Sequence, residues 1–281
     1  MVRLYEDESH LLFLYLPIPR LIMQFQLDEI KMIKRGHGGE FSLHSGERTP
    51  RKVMGELSNE VITGVACGLY HIIAITSTGL MYTLGDTSPF PIFFGIPRLV
   101  RDPKNVISVD AHSYHSACLT DTGEVYTWVG LQQNYHRYDN FFGMLGHGDS
   151  ILSEVLQPKL VEALVDVKAI SVACGMVHTA VSTEDGKVYT FGWGKEGQLG
   201  HGHEEDRSSP TLVLALEGKH ITQIECGDFH TTALTSSGFV FTWGCGEIGY
   251  EGQMQQGKRF SVPHLVMELR EHNVVQIATG H

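Results

Sequence analysis

The chain has 281 residues, 42% of them hydrophobic and 19% charged, a balance that excludes wholesale disorder and allows a sizeable core. Its formal net charge of −11 argues against a nucleic-acid partner, because phosphate contacts need a basic surface. The apolar run at residues 11–16 is too short to span a bilayer and is followed by Pro17 and Pro19, so we predict no membrane insertion.

Thirty-one glycines and five cysteines refine this view. The glycines show no collagen period and therefore indicate many tight turns, as in an all-β repeat protein. The cysteines are odd in number and form no CxxC pair, which favours free thiols in a reducing compartment. The expected location is the cytoplasm, with the nucleus as the alternative.

Residues 1–34 precede any recognisable repeat, and we predict that they form an N-terminal extension or a degenerate piece of a repeat unit. Within them, residues 27–34 are the one place where the pattern allows a helical turn. Residues 36–53 have the composition of the loop and last strand of a unit whose earlier strands are missing or degenerate. The repeat region is therefore taken as 35–281.

Four segments of the chain align with one another, and a fifth begins at Gln276. Each has an apolar run, a turn of Cys-Gly type, a strand that begins at a histidine, a glycine-containing hairpin turn, and a second strand with aromatic residues. A glycine-rich loop and a proline-led last run complete the unit. The histidines, spaced 44, 63 and 52 residues apart, are His71, His115, His178 and His230.

Four-stranded units of this size cannot bury their faces alone and must stack. The prediction is an all-β fold, a β-propeller of four-stranded blades with about five blades represented and an incomplete ring. Sequence missing from the chain, or another chain, would complete the ring. The four histidines, with Gly175 and Gly227, are predicted to serve the repeat itself, each histidine bonding a backbone carbonyl while the cysteine beside it packs as a small apolar residue.

The second unit is longer than the third because of an insertion that follows Trp128. Insertions in repeat arrays lie in loops on one face, often the binding face. The aromatic and basic side chains of this insertion are typical of interface anchors, although they could equally fill the space between blades. The candidate partner-binding residues are Tyr135, His136, Arg137, Tyr138, Phe141 and Phe142.

Two enzyme-like patterns belong to the repeat. Gly192, Gly194 and Gly197 spell GxGxxG, but no helix pattern follows and the same spacing recurs at Gly244. The Cys-x-x-x-His pairs resemble zinc ligands, yet each pair lies in a different unit. No nucleophile and base stand out from the repeat. We therefore predict no catalytic residues, no cofactor and no metal.

The pattern CGxxH, then VYTFG, then GQLGHG and a proline resembles the regulator-of-chromosome-condensation repeat. Residues 172–216 match it almost throughout, and the resemblance extends over residues 35–281. It implies a seven-bladed propeller and protein partners, including small GTPases, since the founding member is a guanine-nucleotide exchange factor for Ran. Four acidic loop residues either suit a basic GTPase surface or its magnesium, or form a solvated rim: Asp149, Glu204, Glu205 and Asp206.

We expect a non-catalytic scaffold for protein–protein interaction. The alternative is a guanine-nucleotide exchange factor for a Ran-like small GTPase, which would act by binding the nucleotide-free GTPase better than the nucleotide-bound form.

Overall fold

The computed structural model describes residues 4–6, 11–15, 21–26, 29–34, 51–52, 56–68, 71–85, 97–129, 143–148, 155–246 and 259–279. At the N-terminus, five antiparallel strands form one sheet in chain order: β1 (Leu4–Glu6), β2 (Leu11–Tyr15), β3 (Leu21–Gln26), β4 (Glu29–Lys34) and β5 (Arg51–Lys52). The helical turn expected at residues 27–34 is wrong, because residues 29–34 pair with β3 along their whole length. The division of the chain at residue 34 stays a prediction.

Sixteen further strands form four four-stranded antiparallel sheets, each in chain order. Blade 1 has β6 (Ile62–Cys67), β7 (His71–Thr76), β8 (Met81–Gly85) and β9 (Arg98–Val100). Blade 2 has β10 (Val106–Ala111), β11 (His115–Thr120), β12 (Val125–Val129) and β13 (Lys159–Leu160). Blade 3 has β14 (Ala169–Cys174), β15 (His178–Thr183), β16 (Val188–Gly192) and β17 (Arg207–Leu212). Blade 4 has β18 (Ile221–Cys226), β19 (His230–Thr235), β20 (Val240–Cys245) and β21 (Arg259–Leu265).

The all-β propeller prediction is thus confirmed, with four strands per unit and short 3₁₀ turns as the only helical elements of the described residues: Glu56–Asn59, Glu162–Leu164, Leu214–Leu216 and Met267–Leu269. First strands of neighbouring blades contact one another, so they line the central axis. The described blades do not close a ring. No helix in the described part of the chain is long and apolar enough to cross a membrane.

The meander defines two faces. His178 pairs with Gly192, so the start of the second strand and the end of the third lie at the same end of a blade. The turn face therefore carries the turns after the first strands and the loops after the third strands, described at residues 112–114, 143–148, 175–177, 193–206 and 227–229. The hairpin face carries the hairpins and the connections between blades, at residues 77–80, 101–105, 121–124, 161–168, 184–187, 213–220, 236–239 and 266–273.

The core lies between blades and consists of repeated contacts. Trp243 in blade 4 is fully buried, and a Cβ placed on Gly200 in the blade 3 loop would lie 2.8 Å from its Nε1. Phe191 makes the same approach to Gly146 of blade 2, at 2.8 Å. Burying an aromatic side chain of this kind stabilises a fold by roughly 1.5–3 kcal/mol. Glycine is needed in these loops because the aromatic ring occupies the space of a side chain.

The hairpin face joins the blades through backbone bonds. The N–H of Ala169 donates to the carbonyl of Gly123 at 3.1 Å, and that of Ile221 donates to Gly186 at 3.0 Å. The hairpin glycine thus belongs to one blade and holds the first strand of the next.

The outermost strand of blades 3 and 4 contains a proline, Pro210 in β17 and Pro263 in β21. Because proline has no backbone N–H, it removes a hydrogen-bond donor from the edge of the sheet, which discourages pairing with other chains.

Candidate interaction surface

The repeat histidines join neighbouring blades. His115 Nε2 lies 2.8 Å from Thr179 Oγ1, and His178 Nε2 lies 2.9 Å from Thr231 Oγ1. His71 makes the same contact, 2.6 Å to Ser116 Oγ. The expectation of a backbone carbonyl partner is wrong for these Nε2 atoms, because the residue that follows the next histidine supplies a hydroxyl across the junction. His230 occupies the same position in blade 4, opposite Gly244.

These hydroxyls fix the protonation of the rings. Thr179 Oγ1 donates its one proton to the Met144 carbonyl at 2.7 Å, so it must accept from an Nε2–H of His115. Burial lowers the pKa of His71 to about 4, and burial with the repulsion of His112 and His71 lowers that of His115 to about 3. The rings are therefore neutral at physiological pH and act in packing.

The five cysteines are free thiols, as predicted, and their surroundings favour the protonated form. Burial raises the pKa of Cys67 to about 12 and holds the pKa values of Cys174 and Cys226 well above the ordinary value. A thiolate nucleophile is disfavoured at these positions. In the described ranges no three His, Cys, Asp or Glu side chains come together as a metal site.

The glycines singled out in the sequence lie against other residues of this chain. A Cβ on Gly175 would lie 2.2 Å from His178 Cε1 and 2.8 Å from the Gly227 carbonyl, so the turn has no space for a side chain. In the GxGxxG pattern, a Cβ on Gly194 would meet the Glu205 carbonyl at 2.3 Å. The strand β17 follows this loop instead of a phosphate-binding helix.

At the centre of the turn face, one histidine–carboxylate contact joins two blades that are not neighbours. His112 Nε2 in blade 2 lies 3.3 Å from Asp228 Oδ1 in blade 4, and the His112 side chain is only 11% exposed. Between them, the N–H of Met176 in blade 3 donates to the Asp228 carbonyl at 3.3 Å. Three consecutive turns are therefore held as one rigid unit.

Beside this unit lies an aromatic pair. The rings of Trp193 and Phe229 meet edge to face, with centroids 5.6 Å apart. Both side chains are half-buried, as are those of Tyr114 and Met176 on the neighbouring turns. Partly exposed Trp, Tyr, Phe and Met on rigid backbone are the composition of binding hot spots.

The acidic loop of blade 3 is occupied by internal contacts. Asp206 Oδ1 accepts the N–H of Gly194 at 2.9 Å and lies 3.6 Å from Lys195 Nζ. Glu205 pairs with Arg207 at 3.1 Å, and Glu204 lies 3.8 Å from Arg259. These three carboxylates form a paired rim, which weakens the idea that they compete for a GTPase's magnesium. Asp149 lies outside the described residues.

The six residues of the candidate loop, 135–138 and 141–142, also lie outside the described residues, so their role stays a prediction. The strand before them, β12, ends at Val129 opposite His115, at the turn face. Sequence reasoning missed His112, Asp228, Trp193 and Phe229. The available signal was variation at one turn position: His112 replaces the repeat's glycine.

Comparison with known proteins agrees with this architecture. Two family models, both described as the regulator of chromosome condensation (RCC1) repeat, match residues 139–182 and 185–234, and residues 169–198 and 221–253. Over 234 residues the chain is 33% identical to the E3 ubiquitin-protein ligase HERC2 of Homo sapiens, a match that covers 80% of this chain and 4% of HERC2. It is 29% identical over 256 residues to the Ultraviolet-B receptor UVR8 of Arabidopsis thaliana, covering 88% and 56% of the two chains. The chain thus spans only part of each curated relative.

Solved structures show the same fold. Yeast RCC1 (Prp20), in its crystal structure with Kap60, gives a TM-score of 0.74 at 21% identity, covering 93% of this chain and 63% of that chain. Human WBSCR16 gives 0.72 at 20% identity, covering 92% and 67%. Four-stranded blades joined by histidine–hydroxyl contacts and glycine loops define a β-propeller repeat protein. The chain contains regulator of chromosome condensation (RCC1) repeats, which the family models match between residues 139 and 253.

Proposed function

We propose that the chain is a non-catalytic scaffold that binds a protein partner at its turn face. The observation that carries this proposal is the half-buried Trp193–Phe229 pair. Phe229 lies on a turn that the His112–Asp228 contact holds in place, and the N–H of Trp193 donates to the carbonyl of Val177 at 3.0 Å. A rigid surface loses little conformational entropy on binding, so more of the contact energy appears as affinity. Three repeat histidines, His71, His115 and His178, are engaged in contacts between blades, and Cys118, Cys174 and Cys226 are buried.

The test is to compare partner capture by the wild-type chain and by the double variant Trp193→Ala, Phe229→Ala. Loss of two central aromatic anchors is expected to lower the affinity for a partner by about 10-fold or more. Leu214→Ala is the matched control, since Leu214 is 69% exposed but lies on the hairpin face. Each partner identified by mass spectrometry is then titrated by calorimetry. Undiminished affinity of every partner for the double variant would contradict the turn face as the site.

The insertion is tested separately. Replacing Tyr135, Tyr138 and Phe142 together by alanine is expected to weaken the same partner without changing the unfolding temperature. If affinity is unchanged, the insertion is not part of the binding surface.

A small GTPase is the second candidate partner. The Saccharomyces cerevisiae Prp20p structure, which shares the fold with a TM-score of 0.74 at 19% identity, is described with its binding properties to Gsp1p and histones. Exchange is tested by GDP release across a panel of small GTPases. Accelerated release would make the chain an exchange factor, and a flat result across the panel would remove that alternative.

A further inference from the structure

A second surface of different chemistry lies at the opposite end of the central axis. Each first strand contains a β-bulge: in blade 2 the pairing passes from Val106 to Ser108, and in blade 3 from Ala169 to Ser171. The skipped residues, Ile107 and Ile170, therefore have no cross-strand partner. Bulges redirect side chains, and these two are 58% and 40% exposed.

The same position in blades 1 and 4 carries threonine. Thr63 Oγ1 donates to the Ile75 carbonyl at 3.4 Å, and Thr222 Oγ1 donates to the Leu234 carbonyl at 3.2 Å. Strand propensity explains a β-branched residue at this position, but threonine satisfies it equally well. At this bulge position, exposed aliphatic side chains therefore occur in the neighbouring blades 2 and 3, whose first strands are in contact.

Acidic residues outnumber lysines and arginines on the hairpin face that carries these isoleucines. Of the six lysines and arginines of the hairpin face, Lys168, Lys187 and Arg270 contact an acidic neighbour. The other three are exposed and form no ion pair with a described residue: Arg101, Lys104 and Lys219. Six exposed carboxylates of this face form no ion pair with any described residue: Asp102, Asp121, Glu162, Asp166, Glu217 and Glu268. The N–H of Asp121 donates to the carbonyl of Asn105 at 3.0 Å, and Asn105 precedes Ile107 by two residues, so the backbone of Asp121 lies beside the start of β10. Exposed aliphatic side chains near the axis and an excess of negative charge on the same face match a partner that joins an aliphatic residue to basic ones.

We propose that Ile107 and Ile170 anchor a basic peptide segment of a partner protein, one that places a large aliphatic residue between lysines or arginines. The apolar residue covers the two isoleucines, and the basic residues face the surrounding carboxylates. This site is independent of the turn face, so the chain would hold two partners, or two parts of one partner, at opposite ends of its axis.

The probe is a fluorescein-labelled peptide with two central leucines flanked on each side by alternating arginine and lysine. Its binding is followed by fluorescence anisotropy. A second peptide has serine in place of leucine, and a third has glutamate in place of the basic residues. We expect the first peptide to bind, the other two to bind at least about 5-fold more weakly, and added salt to weaken binding.

The decisive variant is Ile107→Thr, Ile170→Thr, which gives blades 2 and 3 the residue that blades 1 and 4 carry. It is expected to weaken the first peptide by about 5-fold or more, because two exposed methyl-rich side chains are lost to the interface. Val165→Thr, on the same face and 54% exposed, is the matched control and is expected to change nothing. Thermal unfolding checks that each variant is folded.

Absence of binding by the wild type, or equal binding by the double threonine variant, would overturn the inference. The Trp193→Ala, Phe229→Ala variant separates it from the turn-face proposal. That variant should bind the peptide as the wild type does. If it loses the peptide while the threonine variant retains it, the peptide binds at the turn face and the second site does not exist.

Discussion

The Nε2 atom of His178 lies 2.9 Å from Oγ1 of Thr231, the residue that follows the histidine of the next blade. Thr231 in turn donates to the Gln198 carbonyl of blade 3 at 2.8 Å, and the indole N–H of Trp243 donates to the same carbonyl at 2.8 Å. One buried contact thus joins a strand, a loop and an aromatic residue from two blades. Its recurrence explains why stability in such an array is a sum over neighbouring interfaces.

Replacing Thr231 by valine tests this contact. The change keeps the shape but leaves the His178 N–H without its acceptor, and we expect a loss of about 1–3 kcal/mol in the free energy of unfolding. Urea denaturation measures it. Thr211→Val is the control, because the Thr211 hydroxyl bonds only the Ser209 carbonyl near the surface. Thr231→Ser should recover most of the loss, since Ser116 fills the same position in blade 2. Equal stability of the valine and serine variants would contradict the hydrogen bond's role.

Gly186 tests the hairpin end of the blade junction. Its φ is +81°, and an added Cβ would lie 2.2 Å from His220 Nδ1 and 2.6 Å from His220 Cα. Gly218 has a similar φ of +75° with nothing within 4 Å. Gly218→Ala should therefore cost only the left-handed backbone strain, about 1–2 kcal/mol. Gly186→Ala should cost clearly more, because the blades must separate. Thermal unfolding of both variants decides this, and equal losses would show that the junction adapts.

The tautomer of the buried histidine rings can be tested by spectroscopy. His115 and His178 should appear in nitrogen-15 NMR as neutral Nε2–H tautomers, because Thr179 and Thr231 donate their protons elsewhere. The pKa of His115 is lowered to about 3, so the unfolded chain takes up a proton before the folded chain does. This histidine's contribution to stability is complete above about pH 6.5 and is lost as pH falls from there towards 3. Titration of the His115 ring near pH 6.5 in the folded protein would refute this account.

The carboxyl of Glu225 makes stability depend on pH in the opposite direction. Burial and the nearby Asp110 raise its pKa to about 7, so the folded state holds this proton more tightly than the unfolded state. In the wild type, the contribution of Glu225 to the free energy of unfolding therefore rises as pH falls from about 7 towards 4.5. Glu225→Gln keeps the acceptor for Gln223 Nε2 and should raise Tm by about 3 °C or more at pH 8, with little gain at pH 5. The exposed Glu217→Gln is the control. A gain that does not depend on pH would exclude the proposed charge effect.

Much of the architecture follows from local pattern. The hairpin turns, the strand that begins at each histidine and the aromatic third strand recur in phase, so four strands per blade could be predicted. The partner of the histidine could not, because Thr231 lies 53 residues from His178 and faces it only once blades stack. For the same reason, the replacement of the repeat's glycine by His112 marks an unusual turn but does not reveal that its partner is Asp228.

The repeat, its strands and the positions where glycine is required follow from local sequence, because hairpins and alternating strands depend on residues close together in the chain. Tertiary structure decided which side chains are used within the fold and which remain available. Stacking of the blades buries the histidines and cysteines against hydroxyls and aromatic rings, and it pairs the acidic loop with basic neighbours. It leaves the Trp193–Phe229 pair at one end of the axis, and the bulges leave Ile107 and Ile170 at the other.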